Sequence, residues 1–156
     1  SLLQTKSVAL SEIYGVMKEM LDEGGTVNFN PRGTSMLPTL HNDGDRVVIK
    51  KYDSLKKYDL PLYLREGGQF VLHRVVSINS DGTYNMCGDN QWHIEYNIRP
   101  DQIIGTVIQI QRGSKTFKVS NPVYCIYVRI WVAIRPLRRL VIGGTRRIIK
   151  ILRQKK

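Results

Sequence analysis

From residue 44 to residue 112 the chain repeats one pattern: a short apolar run, then a turn built on small polar residues. The runs Arg46-Val47-Val48-Ile49-Lys50, Leu60 to Leu64, Gln69 to Ile78, Thr83 to Cys87 and Ile103 to Arg112 read as strands. His41-Asn42-Asp43-Gly44-Asp45, Arg65-Glu66-Gly67-Gly68 and Ser80-Asp81-Gly82 supply the turns. Short strands joined by Gly-rich turns pack as a folded β-sheet or a partly closed barrel. The expected class is therefore mainly β (α+β), and 156 residues suffice for one domain with a real core.

The two ends read differently. Leu10, Ile13, Met17, Met20 and Leu21 recur at helical spacing, with charged residues on the other faces. With Ser7 as N-cap and Gly24-Gly25 as stop, residues 8–23 are expected to form a helix laying that stripe on the β-domain. Toward the other end, Val123 to Ile134 is apolar and aromatic except for Arg129. It is shorter than the ~20 residues a bilayer-spanning helix needs. From Tyr124 to Lys156 every charged side chain is Lys or Arg, and this segment holds most of the formal net charge of +11. Such a segment suits an anionic partner, with Tyr124, Arg129, Trp131, Arg135, Arg138 and Arg139 at headgroup depth. Leu140, Val141, Ile148, Ile149, Ile151 and Leu152 extend the same surface; the competing reading is a core-docking helix with a basic tail. The chain thus divides into a helix over 1–25, a β-domain over 26–119 and a basic helical segment over 120–156.

Several classes are excluded or disfavoured. The three histidines and two cysteines have no metal-ligand spacing, so no metal is expected. Cys87 and Cys125 read as free thiols of a reducing compartment. Gly24-Gly25 and Gly143-Gly144 lack the context of nucleotide-binding loops. Lys50, Lys51, Lys56 and Lys57 read as a solvated face. No signal peptide or clear transmembrane helix is visible, so the expected location is cytoplasmic or peripheral on the inner membrane face.

The chemistry centres on Gly33-Thr34-Ser35-Met36-Leu37-Pro38-Thr39-Leu40, which holds a serine on a bend between apolar runs. Taken alone, such a serine usually bonds local backbone. Two later stretches change its meaning: His73 within Phe70-Val71-Leu72-His73-Arg74-Val75-Val76, and Asp89 within Met86-Cys87-Gly88-Asp89-Asn90. A serine hydroxyl becomes a nucleophile when a base takes its proton, and a carboxylate commonly orients that base.

The ordered runs Gly33 to Leu40, Gly44-Asp45-Arg46-Val47-Val48, His73-Arg74-Val75 and Gly88-Asp89-Asn90 resemble those of the type I signal peptidases. They are also similar to the related self-cleaving repressor peptidases, which share a catalytic β-domain. The resemblance covers residues 33–110, about half of the chain. It implies Ser35 as nucleophile and an extended peptide substrate with small side chains near the cleaved bond, without a cofactor. His73 stands where bacterial enzymes keep a lysine and the endoplasmic-reticulum type has histidine, so the resemblance implies His73 as general base. Asp89 is implied to support it. With an ordinary pKa of about 6.5, a histidine base serves at neutral pH.

Gly33 stands where many signal peptidases have a serine that helps hold the oxyanion, and this Gly-x-Ser-Met arrangement is closer to the repressor peptidases. Oxyanion and substrate contacts are therefore expected from Thr34, Ser35 and Met36. The chain departs from membrane-bound signal peptidases in having no spanning helix before Ser35. Asp45 reads as a turn residue, and His41 and His93 as surface residues. The rival readings are a self-cleaving repressor, a non-catalytic peptide-binding domain and a nucleic-acid-binding β-domain. The first would need a DNA-binding domain ahead of Ser35, for which 32 residues are too few.

Overall fold

The computed structural model describes residues 2–42 and 44–140, the side chains of residues 2–11 excepted. Helix α1 (Leu2–Asp22) is followed by β1 (Thr26–Phe29), β2 (Asp45–Lys50), β3 (Pro61–Leu64), β4 (Phe70–Leu72) and β5 (Arg74–Ile78). Then come β6 (Tyr84–Cys87), β7 (Glu95–Ile98), β8 (Ile103–Arg112), β9 (Lys115–Lys118) and α2 (Pro122–Ala133). The strands form two antiparallel sheets and no closed barrel: one ordered β1-β2-β8-β3-β4 with β9 beside β8, the other β5-β6-β7. Ten-residue β8 is the spine of the first sheet, pairing β2 along its length and β3 and β9 in turn.

Period-two patterning explains the strands. In β2, Val47 and Ile49 are fully buried while Arg46 and Lys50 face out. Two cores result. One joins Leu21, Met36, Leu40, Val47, Ile49 and Ile110; the other joins Tyr63, Val71, Val75, Met86 and Ile103. At Gly105 the strands and α1 approach so closely that a Cβ would meet the Lys50 carbonyl oxygen at 2.7 Å and Leu21 at 3.2 Å.

The structure corrects three expectations and adds three strands. The continuous strand over 69–78 is broken at His73, because β4 belongs to the first sheet and β5 to the second. Helix α1 begins at Leu2, which leaves Ser7 inside it and not at its cap. The buried stripe of α1 is rotated: Tyr14, Met17 and Leu21 pack on the core, whereas Ile13 and Met20 are exposed. The Leu10 side chain lies outside the described residues. Three short strands, β1, β7 and β9, carried no usable periodicity because each shows only four residues, mostly exposed.

At the C-terminal end, Asn121 caps α2 by accepting bonds from the amides of Val123 and Tyr124, with Pro122 at the first helical position. Residues 135–140 are again helical beyond a break at Ile134. No described helix is long and apolar enough to cross a membrane. Val141, Ile148, Ile149, Ile151 and Leu152 lie outside the described residues.

Leu21 joins α1 to β8 and is almost wholly buried. Leu21→Ala is expected to cost about 2–5 kcal/mol through lost burial and the cavity it leaves. Urea unfolding of the two proteins, with m held equal, measures it.

Candidate active site

The turn bearing Ser35 is built on buried anchors. Met36 and Leu40 enter the first core, so the intervening chain must bend, and residues 35–39 form a turn. Gly33, at a φ of +93°, reverses the chain before it and donates its N–H to Asn42 Oδ1 at 3.1 Å. Within the turn the Leu37 amide donates to the Thr34 carbonyl at 3.2 Å and the Leu40 amide to that of Met36 at 2.9 Å. Ser35 is half-buried on the wall of a cavity of about 520 Å³, which His73 also lines. No direct hydrogen bond joins Ser35 to His73 among the described residues.

Behind the turn lies the loop between β6 and β7. The Asn90 amide donates to the Ser35 carbonyl at 2.8 Å, and Asn90 Nδ2 to the Thr34 carbonyl at 3.0 Å. Gly88 is required at this contact, since a Cβ there would meet the Ser35 carbonyl oxygen at 2.6 Å.

His73 is buried where the chain passes from one sheet to the other. Glu95 Oε1 lies 3.0 Å from its Nδ1, and the Tyr63 hydroxyl lies 3.3 Å from the same nitrogen. Glu95 is itself gripped by Arg65, whose Nε donates at 2.8 Å and whose Nη2 makes a second bond. Burial pushes the His73 pKa below its ordinary value; Glu95 pulls it up and Arg65 pushes it down, and the balance remains low. Burial alone would raise the Glu95 carboxyl, but bonds from Arg65 and Tyr63 outweigh it and hold it below the usual range. A carboxylate at Nδ1 favours the tautomer with its proton there, leaving Nε2 as the basic nitrogen.

Asp89 is not the carboxylate in contact with His73, although its charge still pulls the imidazole pKa upward. Its carboxylate is occupied by the adjacent Arg74, whose Nε and Nη2 donate to the two oxygens at 2.7 and 2.6 Å. Thr39 donates to the same carboxylate, while Arg74 Nη1 donates to the Tyr58 carbonyl at 2.9 Å. Arg74 is fully buried; burial opposes its charge, but Asp89 outweighs that effect and drives its pKa upward. Asp89 thus fixes a buried guanidinium and Glu95 is the carboxylate beside the imidazole. The sequence signal for Glu95 was weak: it opens a four-residue strand with little apolar pattern. Asp45 pairs with Arg112 and caps the His41 amide, at the edge of β2.

The residues expected to touch a membrane also divide. Tyr124 packs on the core and its hydroxyl accepts from Arg74, Trp131 Nε1 donates to the Asp89 carbonyl, and Arg138 does the same. These three face the domain because they satisfy its buried polar groups. Arg135 is half-buried, whereas Arg129 and Arg139 are exposed.

Chemically, the arrangement sets a hydroxyl and a buried, carboxylate-backed imidazole around one cavity. The amides of Ser35 and Met36 donate to no protein acceptor among the described residues, and both residues line the cavity. The Thr34 carbonyl is taken by Asn90 and its side chain is exposed. No His, Cys, Asp or Glu cluster able to hold a metal ion occurs among the described residues.

The two carboxylates are expected to separate on mutation. Asp89→Ala strands the buried Arg74 charge and should cost about 3–5 kcal/mol. Glu95→Gln, whose partner Arg65 still reaches solvent, should cost only about 1 kcal/mol or less. Denaturant midpoints of the two variants give the comparison. Set against known proteins, the chain matches no family model and no curated protein.

Proposed function

We propose that the protein is a serine endopeptidase of the signal-peptidase-like type, with Ser35 as nucleophile, His73 as general base and Glu95 as its orienting carboxylate. The observation that supports this best is that Ser35 and His73 line one cavity while Glu95 holds His73 Nδ1. His73 takes the Ser35 proton as Oγ attacks the peptide carbonyl, then returns it to the leaving amine. Glu95 stabilises the transient imidazolium, and the amides of Ser35 and Met36 receive the oxyanion.

The substrate is an extended peptide. Both ends of the first sheet's strand path reach the cavity, through Phe29 of β1 and Phe70, Val71 and Leu72 of β4. Edge strands offer unpaired backbone groups, so a peptide laid between them gains ladder bonds as well as side-chain contacts. Small side chains near the cleaved bond are what the resemblance to signal peptidases implies.

The proposed partner besides the peptide is an anionic bilayer surface. Val123, Ile126, Ile130, Leu137 and Leu140 are each more than half exposed and recur at helical spacing along α2 and residues 135–140. Exposed Arg129 and Arg139 accompany them, and no acid occurs from Tyr124 onward, so pairing with a second copy would oppose like charges. Sedimentation with vesicles containing anionic lipid is expected to retain the protein. Neutral vesicles should not, and Ile126→Glu with Ile130→Glu should weaken retention at least about tenfold. Equal binding to both vesicle types would remove this partner.

A fluorophosphonate probe tests the enzyme reading. Labelling is expected at Ser35 and should be lost in Ser35→Ala and slowed by about 10⁴-fold or more in His73→Ala. Because the neutral imidazole is the base and burial lowers its pKa, labelling should rise with pH to a midpoint below about 6.5 and stay level through neutrality. Removing the Glu95 charge takes away an upward pull, so Glu95→Gln should move that midpoint lower still while slowing the rate by about 10²–10⁴-fold. Absence of labelling in folded protein, or a midpoint in the alkaline range, would defeat the assignment.

A further inference from the structure

We infer that α2 and the helical turn after it act as a latch on the nucleophile, transmitted through one peptide plane, with Trp131 and Arg138 as positioning residues. The inference rests on Ser35 being the nucleophile, and it goes beyond that reading by giving the C-terminal helix a part in reactivity.

The peptide unit linking Asp89 to Asn90 is planar and rigid, so its C=O and N–H turn together. On one side, the Asp89 carbonyl accepts from Trp131 Nε1 at 2.8 Å and from Arg138 Nη1 at 2.7 Å. A carbonyl oxygen has two lone pairs, and both are used. On the other side, the Asn90 N–H donates to the Ser35 carbonyl at 2.8 Å. Whatever fixes the carbonyl therefore fixes the direction of the N–H, and with it the backbone of the residue that attacks.

The donors are themselves held. The Arg138 guanidinium stacks 3.9 Å from the Trp131 ring centre and donates through Nη2 to the Trp131 carbonyl at 3.2 Å. The Tyr127 ring stacks on Trp131, and its hydroxyl bonds Thr39 Oγ1 at 2.8 Å, at the other end of the nucleophile turn. The helix thus grips the turn at two points: directly at Thr39, and through the 89–90 peptide at Ser35. Hydrophobic packing of α2 alone requires none of these polar contacts, since Trp131 and Arg138 could be aliphatic and still cover the loop.

Trp131→Phe keeps the stacked ring but removes the donor; Arg138→Gln removes the charge and the fork, and Arg138→Lys restores a charged donor. In full-length protein, Trp131→Phe is expected to slow fluorophosphonate labelling of Ser35 at saturating probe about tenfold. Half-saturating probe concentration and the pH midpoint set by His73 should not move. Arg138→Gln should act similarly, with partial rescue by Arg138→Lys.

Hydrogen–deuterium exchange supplies a readout independent of catalysis. In Trp131→Phe, exchange should quicken at the amides of Leu37, Leu40, Asn90 and Gln91, while the β8 amides keep their protection. If exchange changes in this way in a protein that never labels, the latch stands and the peptidase reading falls. If native protein labels and the variants match it in both rate and exchange, the latch is wrong. A uniform rise in exchange including β8 also overturns it, because Trp131 would then serve general stability.

Discussion

The ion pair between Arg74 and Asp89 is the constraint on which the site depends. Neither charge reaches water, so neither is tolerable without the other. Their pairing fastens β5 to the loop between β6 and β7, and the surrounding bonds extend the fastening to Thr39 and Tyr124. Strand, loop, nucleophile turn and C-terminal helix meet at this one buried pair. The Arg74 guanidinium also reaches the Tyr58 carbonyl, on a residue with the unusual φ of 82° for a bulky side chain. A polar centre in which nearly every group is matched specifies a single arrangement of its neighbours more sharply than apolar contact does.

Next to this brace the fold keeps a second, softer electrostatic unit of Arg65, Glu95, Tyr63 and His73. The separation matters chemically. A carboxylate locked against a fully buried arginine has little freedom to answer a change of charge on an imidazole. Glu95, whose arginine partner is partly solvated, lies at Nδ1 and can stabilise imidazolium as it forms. Two arginine–carboxylate pairs, one buried and one near the rim, thus differ in what they can do because water reaches only one of them.

Much of this was legible in the sequence. Long or strongly patterned strands such as Ile103–Arg112 and Asp45–Lys50 declare themselves through periodic burial, and Gly24-Gly25 marks the end of α1. The Gly33 to Leu40 run and His73 could be singled out from the sequence, and the structure puts Ser35 and His73 on one cavity. Glu95 could not be, because its place beside His73 comes only from the antiparallel pairing of Met86 with Glu95, a long-range contact with no local signature. Asp89 pairs instead with Arg74, the residue after His73, because the break at His73 leaves Arg74 at the start of β5. The C-terminal helix is a further case. Its aromatic and basic residues looked suited to a headgroup layer, yet one face of them answers buried carbonyls, and composition cannot tell the two faces apart.

The break in the strand at His73 has a mechanical consequence. His73, at the crossing between the two sheets, belongs to neither hydrogen-bonded ladder, so its position depends on how the sheets are packed. The serine turn is rooted in the core of the first sheet, while Glu95 is carried by the second. The distance between His73 and Ser35 therefore depends on how the two sheets are packed together. The seam between the two cores thus sets how far the imidazole and the hydroxyl stand apart.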